Sequence, residues 1–287
     1  MSFWSALAHV DHCLVTVDAG GVPTRALQAG RGEPVVMLHG TSGHLEAFLR
    51  NVAPHAEHYA VHAIDMLGHG WTGKPDHPYE IPRYVEHLLA YLDAVGATRA
   101  HLVGESLGGW VAAWLASEHP DRVASLQLLA SGGTKADPVI MDRIKGSTTR
   151  AVTTDDRAFT RARLELLMHD PADVSEELVD VRHAIYHAPD FVRNLPNLLC
   201  LQEMEVRQRN LLRADRLARI SAPTLVVWGR QNPFGDVPEA QALHEAIAGS
   251  RLVLLDECGH WPQHEQAATY NPLSLAFLAA AAVPVGA

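Results

Sequence analysis

Short, nearly continuous apolar runs alternate with segments of helical periodicity along most of this chain. The runs fall at 34–38 (PVVML), 59–65 (YAVHAID), 100–104 (AHLVG), 124–130 (ASLQLLA), 223–228 (PTLVVW) and 251–255 (RLVLL). Apolar runs of this length without polar alternation predict strands buried on both faces, as in a parallel sheet. Between them, residues 82–95 place Val85, Leu88, Leu89, Leu92 and Val95 near helical spacing and end at Gly96. Residues 107–118 predict a second helix that stops at His119-Pro120, and 238–248 a third that ends at Gly249. Residues 13–28 form two extended runs about Gly20-Gly21, the pattern of an antiparallel hairpin. The Ala-rich stretch from Leu273 to Val285 predicts a final amphipathic helix, too short for a membrane span.

The alternation breaks between about 132 and 218, where strand-poor, Arg- and Glu-rich helical segments follow one another. Strand-like runs resume at 223, so this stretch predicts an insertion over the C-terminal edge of the sheet. The expected organisation is an α/β fold with a first core part at 1–133, a helical cap at 134–218 and a second core part at 219–287.

Composition narrows the function classes. With 23 Lys+Arg against 33 Asp+Glu, the formal charge is −10 and the pI about 5.9. Nucleic acids and anionic membranes select clustered cations, so neither is an expected partner. Apolar residues make up 47 % and charged residues 20 %, an ordinary folded composition. Cys13, Cys200 and Cys258 are odd in number and far apart, which suits a reducing compartment rather than a disulfide framework. The N-terminus shows no positively charged leader, so a cytoplasmic protein is expected. His9 with His12, and His55 with His58, lack carboxylate or Cys company and read as surface residues rather than metal ligands. No glycine-rich phosphate loop occurs, and no cofactor is expected. The 18 His exceed what a fold needs.

Candidate chemistry centres on Gly104-Glu105-Ser106-Leu107-Gly108, a G-x-S-x-G between an apolar strand and a helix. In that context the turn pushes Ser106 outward as a nucleophile, and the Leu107 N–H faces a developing oxyanion. His39-Gly40-Thr41-Ser42-Gly43 follows another strand, and the Thr41 N–H is the expected second oxyanion donor. Gly40, Ser42 and Glu105 flank these groups and are expected to meet substrate. His260, on the loop after strand 251–255, is the expected base, with His264 a weaker competitor. His39 is expected to shape the oxyanion loop. His62, His101 and His119 read as structural.

In this order, H-G, G-x-S-x-G, a helical insertion and G-H-W resemble the α/β-hydrolase fold superfamily over about 12–282. Within it the chain looks most like the meta-cleavage product hydrolases. Gly259-His260-Trp261 matches their G-H-W, and Glu176-Glu177-Leu178-Val179-Asp180-Val181-Arg182 is similar to their E-E-L-x-x-x-R. The resemblance implies that Trp261 flanks the substrate and that Arg182 contacts its carboxylate. It also implies ketonisation of a 2-hydroxy-6-oxo-hexa-2,4-dienoate, then C–C cleavage.

Three departures stand out. Glu105 replaces the usual Asn before the nucleophile, and the oxyanion loop is H-G-T-S-G rather than glycine-rich throughout. The usual G-x-x-D after strand 223–228 reads Gly229-Arg230-Gln231-Asn232 here. The triad acid is therefore open between Asp236 in the same loop, Asn232 as a neutral orienter, and Asp137 after strand 124–130. The leading expectation is a Ser106–His260–Asp236 hydrolase acting on a ring-fission dienoate. An ester or lactone hydrolase is the alternative in the same class, and a non-catalytic small-molecule binder the alternative outside it. The expected partner is a small-molecule substrate, with a homo-oligomer of two or more copies open.

Overall fold

The computed structural model describes residues 2–281. Eight strands form one sheet: β1 (His12–Ala19), β2 (Val22–Ala29), β3 (Pro34–Leu38), β4 (Ala60–Ile64), β5 (Ala100–Glu105), β6 (Val123–Leu129), β7 (Thr224–Gly229) and β8 (Arg251–Leu255). Their order is β1-β2-β4-β3-β5-β6-β7-β8. The β1–β2 hairpin turns at Gly20-Gly21, both at positive φ, and β2 runs antiparallel to β4. All later pairings are parallel, as the unbroken apolar runs predict.

Alternate residues of each strand feed two separate apolar layers. Val36, Leu38, Leu102 and Leu128 pack with helices α2 (Ile81–Ala94) and α3 (Leu107–Glu118). Val35, Met37, Val103 and Val227 pack with α1 (Leu49–Ala56) and α12 (Ala267–Ala281) on the other face. Each fully buried Val or Leu contributes about 1.5–3 kcal/mol, so both layers hold the sheet.

Between β6 and β7 the chain is helical throughout. It forms α4 (Pro138–Thr153), α5 (Arg157–Glu165), α6 (Glu176–Tyr186), α7 (Pro189–Leu198), α8 (Met204–Arg209) and α9 (Ala214–Leu217), with short 3₁₀ turns among them. After β7 come α10 (Val237–Ala246) and, beyond β8, α11 (Pro262–Glu265). The last helix starts at Ala267, earlier than expected, and carries Pro272 in its first turns. Residues 282–285 of the predicted helix lie outside the described residues. No described helix is long and apolar enough to cross a membrane.

Eight of the 18 histidines are buried. His55 belongs to α1 and is buried, which corrects its reading as a surface residue. Its Nδ1 donates to the Asn51 carbonyl at 2.7 Å and its Nε2 accepts from Ser274 Oγ at 2.8 Å. His87 pairs with Thr24, and His101 with Ser125. Burial lowers His55 and His87 to about 4, so both serve as neutral polar links.

Candidate active site

Ser106 sits between β5 and α3 with φ 51° and ψ −111°, a strained conformation for a residue with a Cβ. Tight packing makes this turn possible. A Cβ on Gly104 would stand 2.3 Å from the Gly108 carbonyl oxygen, and one on Gly108 2.1 Å from that of Leu38. Only glycine allows β3, β5 and α3 to approach so closely. The Ser106 N–H bonds to Leu129 at 2.9 Å, and its carbonyl receives Trp110 and Gly132, which locks the elbow.

The loop after β3 is braced from both ends. The Met66 N–H donates to His39 Nε2 at 3.1 Å, so His39 Nδ1 carries the proton and donates to the Gly40 carbonyl at 2.8 Å. Gly43 closes a turn onto Gly40. Ser42 has φ 57°, and its Oγ accepts from Tyr186 Oη at 3.0 Å. Tyr186 Oη in turn accepts from Arg182 Nη1 at 3.1 Å. Helix α6 is thereby tied to the loop after β3. Thr41 and Leu107 line the same cavity as Ser106.

The loops after β7 and β8 are laced together. Gln231 N–H donates to Cys258 O at 3.0 Å, and Cys258 N–H to Gln231 Oε1 at 3.1 Å. Glu265 accepts from Gly259 and Trp261 and from His169 of the cap. His260 N–H reaches the Leu167 carbonyl at 2.7 Å. This frame brings Asn232 Oδ1 to 2.8 Å from His260 Nδ1. The same oxygen accepts the Phe234 N–H at 3.1 Å, so the Asn232 group facing the ring is an acceptor. His260 Nδ1 therefore bears the proton, and Nε2 is left with its lone pair.

Asp236, the leading candidate for the acid, does not reach the ring. It caps α10 through Glu239 N at 3.0 Å and pairs with Lys135 at 3.2 Å, with its side chain 63 % exposed. Helix capping holds a carboxylate here more simply than a turn inward. Asp137 likewise caps α4, accepting from Val139 and Ile140. His264 points its Nε2 to the Asp173 carbonyl.

Two chambers meet at Ser106. The outer one has a volume of about 480 Å³ and is lined by Trp110, Ile140, Ile144, Trp228 and Phe234 among others. The inner one is about 20 Å³, and Gly40, Glu105, Arg163, Arg182 and Trp261 line it. Thr41, Ser106 and His260 belong to both. Arg163 on α5 and Arg182 on α6 are buried, and neither has a carboxylate within ion-pair distance among the described residues. Arg163 Nη1 and Arg182 Nε and Nη2 also lack hydrogen-bond partners. Arg182 lies 5.7 Å from the Trp261 ring centre.

Glu105 is buried with neither carboxylate oxygen hydrogen-bonded, and its Oε1 lies 3.3 Å from His260 Nε2. Burial pushes Glu105 up to about 8, against the pull of the Gly40 backbone and the two guanidiniums. Burial and the Arg163 charge hold His260 at about 3. Both groups are mainly neutral at pH 7. Arg163 was not foreseen, because FTRARLELL reads as an exposed charged helix and only the packing of α5 turns that arginine inward.

The chain belongs to the alpha/beta hydrolase fold family, which matches residues 33–267, and it is an enzyme of that class. It is 32 % identical over 263 residues to the 2-hydroxy-6-oxo-6-phenylhexa-2,4-dienoate hydrolase of Comamonas testosteroni, covering 88 % of this chain and 89 % of that protein. It is 32 % identical over 275 residues to a 2-hydroxymuconate semialdehyde hydrolase of a Pseudomonas species, covering 92 % and 93 %. Among solved structures, the 2-hydroxy-6-oxo-6-phenylhexa-2,4-dienoate hydrolase of a Rhodococcus species superimposes with a TM-score of 0.84 at 25 % identity, covering 94 % of this chain and 99 % of that one.

Proposed function

We propose that this enzyme hydrolyses the C–C bond of a 2-hydroxy-6-oxo-hexa-2,4-dienoate, with Ser106 as nucleophile and His260 as base. The observation that carries the substrate class is the pair of buried, unpaired guanidiniums in the inner chamber. Two such charges without a counter-ion are costly to bury, and an anionic substrate end relieves that cost. Arg182 and Arg163 take the carboxylate, and the outer chamber, with Trp110, Ile140, Ile144, Trp228 and Phe234 in its wall, takes the group beyond the 6-oxo carbon. The names of two relatives, a 2-hydroxy-6-oxo-6-phenylhexa-2,4-dienoate hydrolase and a 2-hydroxymuconate semialdehyde hydrolase, support the same reading.

The chemistry follows from the tautomer of His260. Its free Nε2 lone pair accepts the Ser106 proton as Oγ adds to the 6-oxo carbonyl. The Leu107 and Thr41 N–H groups receive the oxyanion. Asn232 holds the ring by its Oδ1 but adds no negative charge to the imidazolium that forms. After ketonisation of the dienol, collapse breaks the C5–C6 bond, its electron pair passes along C4 and C3 to the C2 carbonyl oxygen, which takes up a proton to give a 2-hydroxypentadienoate, and water then frees the acid from Ser106. An ester hydrolase shares the serine attack, the oxyanion contacts and the final hydrolysis, but expels an alcohol and makes no use of the arginines.

The test is a panel of ring-fission dienoates and p-nitrophenyl esters with the purified enzyme and its Ser106→Ala variant. Loss of dienoate absorbance with formation of both cleavage products is the expected result. Turnover of esters alone would sink the C–C reading.

A further inference from the structure

The carboxyl group of Glu105 has one place in the site that hydrolysis alone does not use. It spans from the chamber of the two arginines to the free nitrogen of His260. Its Oε1 is 3.3 Å from Nε2, while its body lines the inner chamber with Arg163 and Arg182. Both of its oxygens are buried with no side-chain hydrogen-bond partner, and only the Gly40 backbone acts on them. Nε2 is an acceptor, because Asn232 fixes the proton on Nδ1. A carboxyl oxygen stands 3.3 Å from it. The pKa near 8, set first by burial, keeps the carboxyl protonated at neutral pH.

We propose that Glu105 relays the proton of the substrate's 2-hydroxyl to His260, and that His260 delivers it to carbon 5, so that Glu105 is the tautomerisation catalyst of this enzyme. The inference rests on the dienoate reading above. With the carboxylate on the arginines, the adjacent 2-hydroxyl faces Glu105, and the ring at the mouth of the same chamber faces the diene. In the step, the 2-O–H bond breaks and its proton goes to one carboxyl oxygen. The proton already on Glu105 passes from the other oxygen to Nε2, and from Nε2 to C5. The electron pair of the O–H bond becomes the C2=O π bond, the double bonds shift along the chain, and a C5–H bond forms. Nothing is oxidised or reduced, and Glu105 and His260 end as they began.

The groups facing Glu105 are Arg163 of α5, Arg182 of α6 and His260 beyond β8, with the Gly40 backbone. Burial sets Glu105 at about 8. The relay therefore works while Glu105 holds its proton and fails as pH rises through that value.

The experiment is stopped-flow single turnover of a ring-fission dienoate. It separates loss of the dienol from appearance of cleavage product. Acylation by p-nitrophenyl acetate, which needs no tautomerisation, is followed in parallel. Glu105→Gln should slow dienol loss by about ten-fold or more beyond any change in acylation. Glu105→Asp should recover part of it. In the wild type, dienol loss should fall above pH 8, and that fall should be absent from acylation. Equal slowing of both reactions by Glu105→Gln, or none, overturns the relay. If Glu105→Gln does not fold, as judged by its melting curve, the wild-type pH profile decides: a flat rate of dienol loss from pH 7 to pH 10 overturns it. A wild type that acylates but consumes no dienoate overturns the dienoate reading, and the relay with it.

Discussion

Asn232 Oδ1 stands 2.8 Å from His260 Nδ1, so a neutral amide occupies the seat from which a carboxylate would steady the ring. The hydrogen bond survives and the charge does not. Asn232→Asp should raise kcat on an activated ester by about ten-fold or more, because a negative charge there stabilises the imidazolium. Asn232→Ala should lower it by about ten- to a hundred-fold with a small change in KM, since the ring loses its tether. Steady-state kinetics on p-nitrophenyl acetate read both.

Asp236 is expected to matter for folding and not for turnover. It caps α10 and pairs with Lys135 at the surface. Asp236→Ala should change kcat by no more than about two-fold and lower the melting temperature slightly. A large loss of kcat with an unchanged melting curve would contradict the placement.

The arginines should divide substrates by charge. Arg182→Met and Arg163→Met should each raise KM for a dienoate by about ten- to a hundred-fold more than KM for a neutral ester, the scale of one or two charge-assisted hydrogen bonds. Arg182 also holds Tyr186 against Ser42, so its loss is expected to reach the loop after β3 as well. Comparison with Tyr186→Phe separates the two effects.

Stability should fall on the acid side. His44, His55, His62, His87 and His264 are lowered to about 4, and His69 to about 3, chiefly by burial. Below their ordinary value of 6.5 the unfolded chain binds protons that the folded one refuses. Their stabilisation is thus complete above pH 6.5 and is lost as pH drops towards 4. Asp65, raised to about 6, and Glu105, raised to about 8, act the other way, because folding helps them keep a proton. The histidines outnumber them. Urea midpoints measured from pH 7 to pH 4.5 should decline across this window.

Much of the fold was written locally. The six apolar runs all became strands of the parallel part of the sheet, and the Gly20-Gly21 turn became the first hairpin. The elbow was legible because its glycines and serine are contiguous, and the strain they accommodate lies within five residues. Helix α1 was not legible, since eight residues with Pro54 inside carry too short a period to stand out.

Sequence alone also determined the order of the chemical groups: the H-G loop, Ser106, the helical insertion and His260. It left the partner of His260 open among three residues, because loop conformation decides which of Asn232, Asp236 and Asp137 turns towards the ring. The lacing of Gln231 to Cys258 sets Asn232 Oδ1 beside the ring, while helix ends hold both aspartates. It was silent on Arg163 and on the meeting of Glu105 with His260. Those depend on how α5, α6 and the His260 loop close over the sheet edge, between residues some 155 positions apart (260 − 105). Short-range pattern sets which backbone conformations form. Only burial in the assembled fold sets which charges are stranded together and what protons they hold.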